Sequence, residues 1–291
     1  MPSIALIHRG RRAATLLAAA GVLFAGLVPE PDAKTKTPRE RNEAREGVPY
    51  GLREDVQRWG AELAERHKLD PQWVARQLGE SRRIPVIQQL IMPAGTGTAK
   101  NWAVYRSRFV EPRRIRAGLE FWRENAEWLQ RAEARFGVPA ELVVGLIGVE
   151  TIYGQQMGSF RAIDALATLS FDFPTGRRDR SAFFRDELEA FLLMCHREDV
   201  DPLSIKASYA GAIGMGQFMP SSWSKYAIDF DGDGHVNLHT STADVIGSVA
   251  NYMAQFGWQT GVPTRFEVTL PTSAENRAVL LAPDILPSFT V

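Results

Sequence analysis

Leu142, Val143, Val144, Gly145, Leu146, Ile147, Gly148 and Val149 form an unbroken uncharged, largely apolar run that ends in Glu150. Pro139 opens this stretch and Gly154 closes it, so the pattern predicts a helix from about residue 139 to about Tyr153. A carboxyl at the end of such a helix leaves water as the helix packs. Desolvation disfavours the charged form and raises the pKa. The negative partial charge of the last helical turn acts in the same direction. A carboxylic acid in that state stays protonated near neutral pH and can serve as a general acid. Gly145 and Gly148 remove side-chain bulk, and both are expected to let a substrate come close to the helix. The alternative is a buried Glu paired with Arg or capped by backbone amides.

Helical signals dominate from Val48 onward. Leu52 to Leu69 places apolar residues at three-to-four spacing, and Asp70-Pro71 reads as an N-cap followed by proline at the first helical position. Pro85, Pro93, Gly95 and Gly97 mark an irregular stretch, and Asn101 to Phe109 is short and aromatic. Pro112 to Phe136 reads as one long amphipathic helix stopped by Gly137. Further helices are expected near 161–169, 180–197, 220–227 and 242–256. Only Arg265 to Leu270 alternates as a strand does. The fold class is mostly α with little β structure.

Composition narrows the function. The chain has 291 residues, 34 basic and 34 acidic, for a formal net charge of zero. A nucleic-acid partner is therefore not expected, because such proteins carry a basic excess. The single cysteine, Cys195, excludes an intrachain disulfide and a Cys-based zinc site. It lies in an apolar helical stretch and reads as a buried free thiol. At the start, His8-Arg9-Gly10-Arg11-Arg12 is basic, and the uncharged run Ala13–Val28 is shorter than the roughly 20 residues of a membrane span. Residues 1–33 read as a secretory signal peptide, with an uncleaved membrane anchor as the alternative. No cysteine lies near that site for lipid attachment. Export to a periplasm is the expected localisation, and residues 34–47 read as a polar linker.

Two further segments stand out. Ser208 to Trp223 (SYAGAIGMGQFMPSSW) is dense in small residues, and Gln217 within it can both donate and accept a hydrogen bond. The alternative there is an ordinary tight loop. Asp229, Asp231 and Asp233 occupy the first, third and fifth positions of an EF-hand-like loop with Gly234 sixth, and the seventh, His235, normally offers its backbone carbonyl. The usual Glu at the twelfth position is missing, since Thr240 stands there, and Asp244 can close a longer loop. A structural Ca2+ is expected, against an Asx-turn-rich loop without metal.

The motifs GVET-x-x-G, DALATLSFDFP, ELEAFLLM, SYAGAIGMGQFMPSSW, DFDGDGHVNL and IGSVANY, in this order, resemble the membrane-bound lytic murein transglycosylases of the B type. The likeness runs from about residue 49 to 258 and includes YRSRFVEPRRIRAGLEFW at 105–122. The resemblance implies a lysozyme-like catalytic core beside an additional helical domain. It also implies cleavage of the N-acetylmuramic acid–N-acetylglucosamine β-1,4 bond with formation of a 1,6-anhydro ring. Carried over by position, Glu150 is the single catalytic acid, Ser208 and Gln217 line the cleft, Tyr105 and Tyr252 contact sugar, and Arg177 with Arg178 form a basic pair near the glycan or peptide. Asp244 takes the loop-closing position. No cofactor is required for that chemistry. Peptidoglycan strands are the expected partner, cell-wall synthesis proteins are candidate protein partners, and a monomer is expected.

On this reading residues 48–110 form an N-terminal helical domain, 111–258 the catalytic core with its loop at 229–244, and 259–291 a C-terminal segment. Family members continue with a late Asn-Phe-Tyr…Tyr-Asn segment, whereas this chain ends at Val291, so 259–291 is expected to be truncated. Two other readings stay open. One is a hydrolytic muramidase, if Asp172 or Glu187 falls near Glu150. The other is an inactive peptidoglycan-binding or scaffold protein.

Overall fold

The computed structural model describes residues 48–93, 101–264, 267, 269 and 271–281. The expected signal peptide and linker lie outside the described residues. So does the strand expected at 265–270, apart from Glu267 and Thr269, which have no regular structure. The described chain is mostly α. In order it forms β1 (Val48–Pro49), α1 (Glu54–His67), α2 (Pro71–Glu80), β2 (Arg82–Arg83), α3 (Pro85–Leu90), α4 (Trp102–Phe109), α5 (Pro112–Glu124), α6 (Ala126–Phe136) and α7 (Ala140–Thr151). Then come β3 (Phe160–Arg161), α8 (Ala162–Phe171), α9 (Ser181–Arg197), β4 (Lys206–Ala207), α10 (Pro220–Tyr226), α11 (Thr242–Gln255) and α12 (Ala274–Leu281). The described residues from Val48 to Trp258 form one compact unit, and the described residues from Gln259 onward, with α12, form a second.

Local chemistry sets several boundaries. The Asp70 carboxylate accepts from the Gln72 amide at 2.9 Å and Pro71 starts α2, as the sequence predicts. α1 carries Glu54 and Asp55 in its first turn and Arg66 and His67 in its last, which complements the helix dipole. The long helix expected over 112–136 is two helices. Asn125 leaves helical geometry, and its Nδ2 donates to the Phe121 carbonyl at 2.9 Å while its Oδ1 accepts from the Thr242 hydroxyl at 2.5 Å. A buried side chain committed to α11 therefore breaks the helix. The two strand ladders, β1 with β2 and β3 with β4, are antiparallel and two residues long.

The centre of the larger unit is α8. Every residue from Ala162 to Ser170 is buried, so the helix is enclosed on all sides. It packs on α9, α3 and β2. Polar groups on α8 also fasten the N-terminal segment. Asp164 accepts from the Arg82 amide at 2.8 Å, Thr168 accepts from the Ile84 amide at 2.9 Å, and Asp172 at its C-terminal end accepts from Tyr50 at 2.5 Å and Arg53 at 2.7 Å. On the other side of the unit, α7 packs against α5, α6 and α11. The Trp258 indole closes that side by donating to the Gly137 carbonyl at 2.6 Å.

Candidate active site

The acid sits at the end of α7. Val143, Val144, Ile147 and Thr151 bury one side of this helix. It stops at Thr151, two residues earlier than the sequence pattern indicates, because Ile152 and Tyr153 both adopt left-handed backbone with φ of 51° and 54°. Left-handed geometry is uncommon for any side chain other than Gly, Asn or Asp, and for β-branched Ile it marks strain. The turn is held by Thr151, whose hydroxyl donates to the Met215 carbonyl at 2.8 Å and accepts from the Gly154 amide at 3.0 Å. Arg114 on α5 donates from Nε to the Gly148 carbonyl at 2.8 Å.

Glu150 occupies the last turn. Its Oε2 is buried with no hydrogen-bond partner, and no ion pair to it forms among the described residues. Burial pushes the carboxyl from the usual 4.5 up to about 8. The paired or amide-capped alternative is therefore not what the fold builds.

Gly148 does not admit a substrate, contrary to the expectation for it. A Cβ there would collide with the Tyr153 hydroxyl and lie 2.7 Å from Cζ of that ring. A Cβ on Gly118 of α5 would meet the same hydroxyl, and 3.1 Å away the same Cζ. The two glycines form a slot for Tyr153, whose ring packs on Phe121 with centroids 5.0 Å apart. Gly145 faces open space.

The loop Ser208–Met219 lies against the end of α7 through the Thr151–Met215 bond. Gln217 has a φ of 50°, and its amide donates to the carbonyls of Gly214 at 3.0 Å and Met157 at 3.3 Å, which ties the loop to the turn after the acid. Ser208 shapes the loop, its Oγ accepting from the Ala212 amide at 3.1 Å. Tyr252 on α11 packs edge-on to Phe218 at 5.6 Å and against Phe256 at 4.4 Å. Tyr105 on α4 is in electrostatic reach of the acid, since burial and the Glu150 carboxylate both push its phenol pKa up. Arg177 points elsewhere. It donates to the Ile91 carbonyl and lies over Phe173, lining a cleft of about 470 Å³ with Phe171 and Arg185. Arg178 is exposed.

Neither of the other carboxylates considered joins Glu150. Asp172 is engaged by Tyr50 and Arg53, and Glu187 accepts from the Ser221 amide at 2.9 Å and hydroxyl at 2.7 Å. In the acidic loop, carboxylate oxygens of Asp229, Asp231 and Asp244 lie within 4.8 Å of one another. Asp233 is not in that group of side chains, and its carboxylate accepts from the His235 amide at 2.8 Å. Sequence reasoning missed Arg114, Thr151 and Tyr153, because each acts on a partner remote in the chain or through backbone shape.

Residues 51–283 match the family model described as transglycosylase SLT domain. Over 249 residues the chain is 40% identical to membrane-bound lytic murein transglycosylase B of Escherichia coli (strain K12), covering 80% of this chain and 67% of that protein. The chain belongs to this family of lytic murein transglycosylases. Solved relatives share the mostly helical, lysozyme-like architecture. Soluble lytic transglycosylase SltB1 of Pseudomonas aeruginosa superposes with a TM-score of 0.68 at 45% identity, covering 72% of this chain and 69% of that one. Lytic transglycosylase Slt35 of Escherichia coli, solved in complex with bulgecin A, gives 0.68 at 41% identity, covering 78% and 70%. The same protein, solved in complex with calcium, gives 0.67.

The two glycines of the acid helix are expected to respond in opposite directions. Gly145→Ala should stabilise the protein by about 0.5–1 kcal/mol through helix propensity. Gly148→Ala should destabilise it by about 1–3 kcal/mol through the clash with Tyr153. Thermal unfolding of both variants checks this, and equal effects would contradict the Tyr153 slot.

Proposed function

We propose that this lytic transglycosylase cleaves the β-1,4 bond between N-acetylmuramic acid and N-acetylglucosamine with one carboxyl, leaving a 1,6-anhydro ring. The observation that carries this reading is the buried Glu150 carboxyl, unpartnered at Oε2 and protonated at neutral pH because its pKa rises to about 8. Glu150 gives its proton to the glycosidic oxygen as the bond from the muramic C1 breaks. The leaving sugar departs with a hydroxyl. The substrate's own N-acetyl group stabilises the cationic centre. The Glu150 carboxylate then takes the proton from the muramic 6-hydroxyl as that oxygen bonds to C1, which closes the ring and restores the acid. No water is consumed.

Most glycosidases use two carboxylates, the second to activate water or attack the sugar. With Asp172 and Glu187 both committed elsewhere, the chain's own arrangement favours lysis over hydrolysis. A protonated acid poised in this way also favours an active enzyme over a binding protein. Ser208 and Gln217 shape the cleft, Tyr105 and Tyr252 offer ring faces to sugar, and Arg177, in the separate cleft beside Phe173, with its neighbour Arg178 supplies positive charge for a more distant part of the glycan or its peptide. The basic and apolar run at 8–28 supports export to the periplasm, where the substrate is. Among the described residues no helix is long and apolar enough to cross a membrane.

The acidic loop fits a structural calcium ion. Three carboxylates converge, and hard oxygen donors of this kind suit Ca2+. Loop amides already aim the side chains, since Asp229 accepts from Gly232 at 2.7 Å and Gly234 at 2.8 Å, and Asp244 accepts from Phe230 at 2.7 Å and Asn237 at 2.8 Å. An ion there would neutralise mutual repulsion and brace the start of α11. It takes no part in the proton transfers.

Glu150→Gln should lower turnover of murein sacculi by about 10²–10⁴-fold with the fold retained. Wild-type turnover should fall as pH rises through about 8, because only the protonated acid starts the reaction. Mass spectrometry of the digest should show anhydro-muropeptides. Reducing-end products would contradict lysis, and near-normal turnover by the Gln variant would contradict the acid assignment. For the loop, calcium at about 100 times its Kd should stabilise the protein by about 2.7 kcal/mol and raise Tm by about 5–10 °C. Chelator should reverse the shift and Asp231→Ala should abolish it. A Tm unmoved by calcium would contradict the metal site.

A further inference from the structure

Helix α4 is held differently from its neighbours. None of its eight residues is buried. Short helices in proteins draw most of their stability from burying an apolar face, and this one does not. It is fastened by polar contacts. Asn101 caps its start by accepting from the Val104 amide at 3.1 Å. At its other end Arg114 donates from Nη1 to the Arg108 carbonyl at 2.6 Å, lies 5.2 Å from the Phe109 ring centroid, and reaches Gly148 of the acid helix with Nε. The helix is thus tied to the acid's own element.

What α4 presents is a ladder of rings. Trp102, Tyr105 and Phe109 share one face by their spacing of three and four residues. Centroids are 5.6 Å apart at 32° for Trp102 and Tyr105, and 4.9 Å apart at 46° for Tyr105 and Phe109. Arg114, bonded to the Arg108 carbonyl of α4 and to the Gly148 carbonyl, places the Phe109 end of this ladder beside the acid helix. At the far end Trp102 is 69% exposed. Tryptophan combines the largest flat apolar face of any side chain with one N–H donor, and it is costly to leave in water.

We propose that Trp102 is a carbohydrate-stacking subsite that extends the Glu150 cleft along α4 and holds a sugar ring beyond the bond being cleaved. A pyranose has an apolar C–H face bordered by hydroxyls, which matches an exposed indole. The occupant is the glycan strand itself, because Arg114 ties the helix that carries the ladder to the helix that carries the acid. The proposal rests on the glycan reading of the Glu150 cleft.

Binding is measured in the Glu150→Gln protein, so that no turnover intervenes, with peptide-free glycan strands and with a two-sugar fragment as probes. Adding Trp102→Ala should weaken binding of the long strand roughly three- to tenfold and leave the fragment unaffected. Trp102→Phe should restore part of the loss. In the active protein, Trp102→Ala should raise KM on long strands without lowering kcat. Because Trp102 is so exposed, its truncation should leave Tm in place. No loss on the long strand, or an equal loss on both probes, overturns the proposal. A loss seen only when peptide stems are attached also overturns it and assigns the indole to the peptide. If the Glu150→Gln protein itself fails to bind peptide-free glycan, the glycan reading of the whole cleft falls as well.

Discussion

A carboxylate taken out of water without a partner loses several kcal/mol, and a group placed that way neutralises instead. Glu150 comes close to that position: α7 packs against α5, α6 and α11, and the half-buried side chain has its Oε2 buried without a partner. The polar groups around the acid are already satisfied. The Gly148 carbonyl accepts from the Ile152 amide at 3.2 Å and from Arg114, and the Thr151 hydroxyl is used as both donor and acceptor. The Glu150 Oε2 is the atom left without a partner.

The neighbouring backbone is shaped to keep that arrangement. Of the five residues other than glycine with positive φ among those described, three border the site: Ile152, Tyr153 and Gln217. Each costs on the order of 1–2 kcal/mol in left-handed geometry. The costs are offset locally. Tyr153 fills the slot between Gly118 and Gly148, and Gln217 spends its amide on two carbonyls. Strain held by its surroundings next to a reacting group is a common feature of catalytic centres.

Much of the fold was legible because its signals are local. Asp70-Pro71 starts a helix by chemistry contained in three residues, whereas Pro139 marks the start of the acid helix from the N-cap position with no capping side chain. A desolvated carboxyl with a raised pKa was legible as a single charge after an apolar run, while its catalytic assignment came from the family resemblance. What stayed hidden depends on partners far along the chain. Asn125 looks like an ordinary surface residue in a helix until Thr242 reaches it from 117 positions away. Gly148 looks like space for a ligand until Tyr153 fills it. The two-residue ladders are too short to show any alternation. Arg114 belongs to a basic run, Arg113 to Arg116, whose pattern suggests only a solvated face, yet one of its members latches α4 to α7.

The central claim is that Glu150 is an uncharged acid at neutral pH because burial holds it so. Carboxyl NMR with carbon-13-labelled glutamate measures this directly, the Glu150 signal being the one absent from the Glu150→Gln spectrum. The account predicts a titration midpoint near 8 for that signal. A midpoint near the usual 4.5 would mean that water or a counter-ion reaches the carboxylate, and would contradict the account.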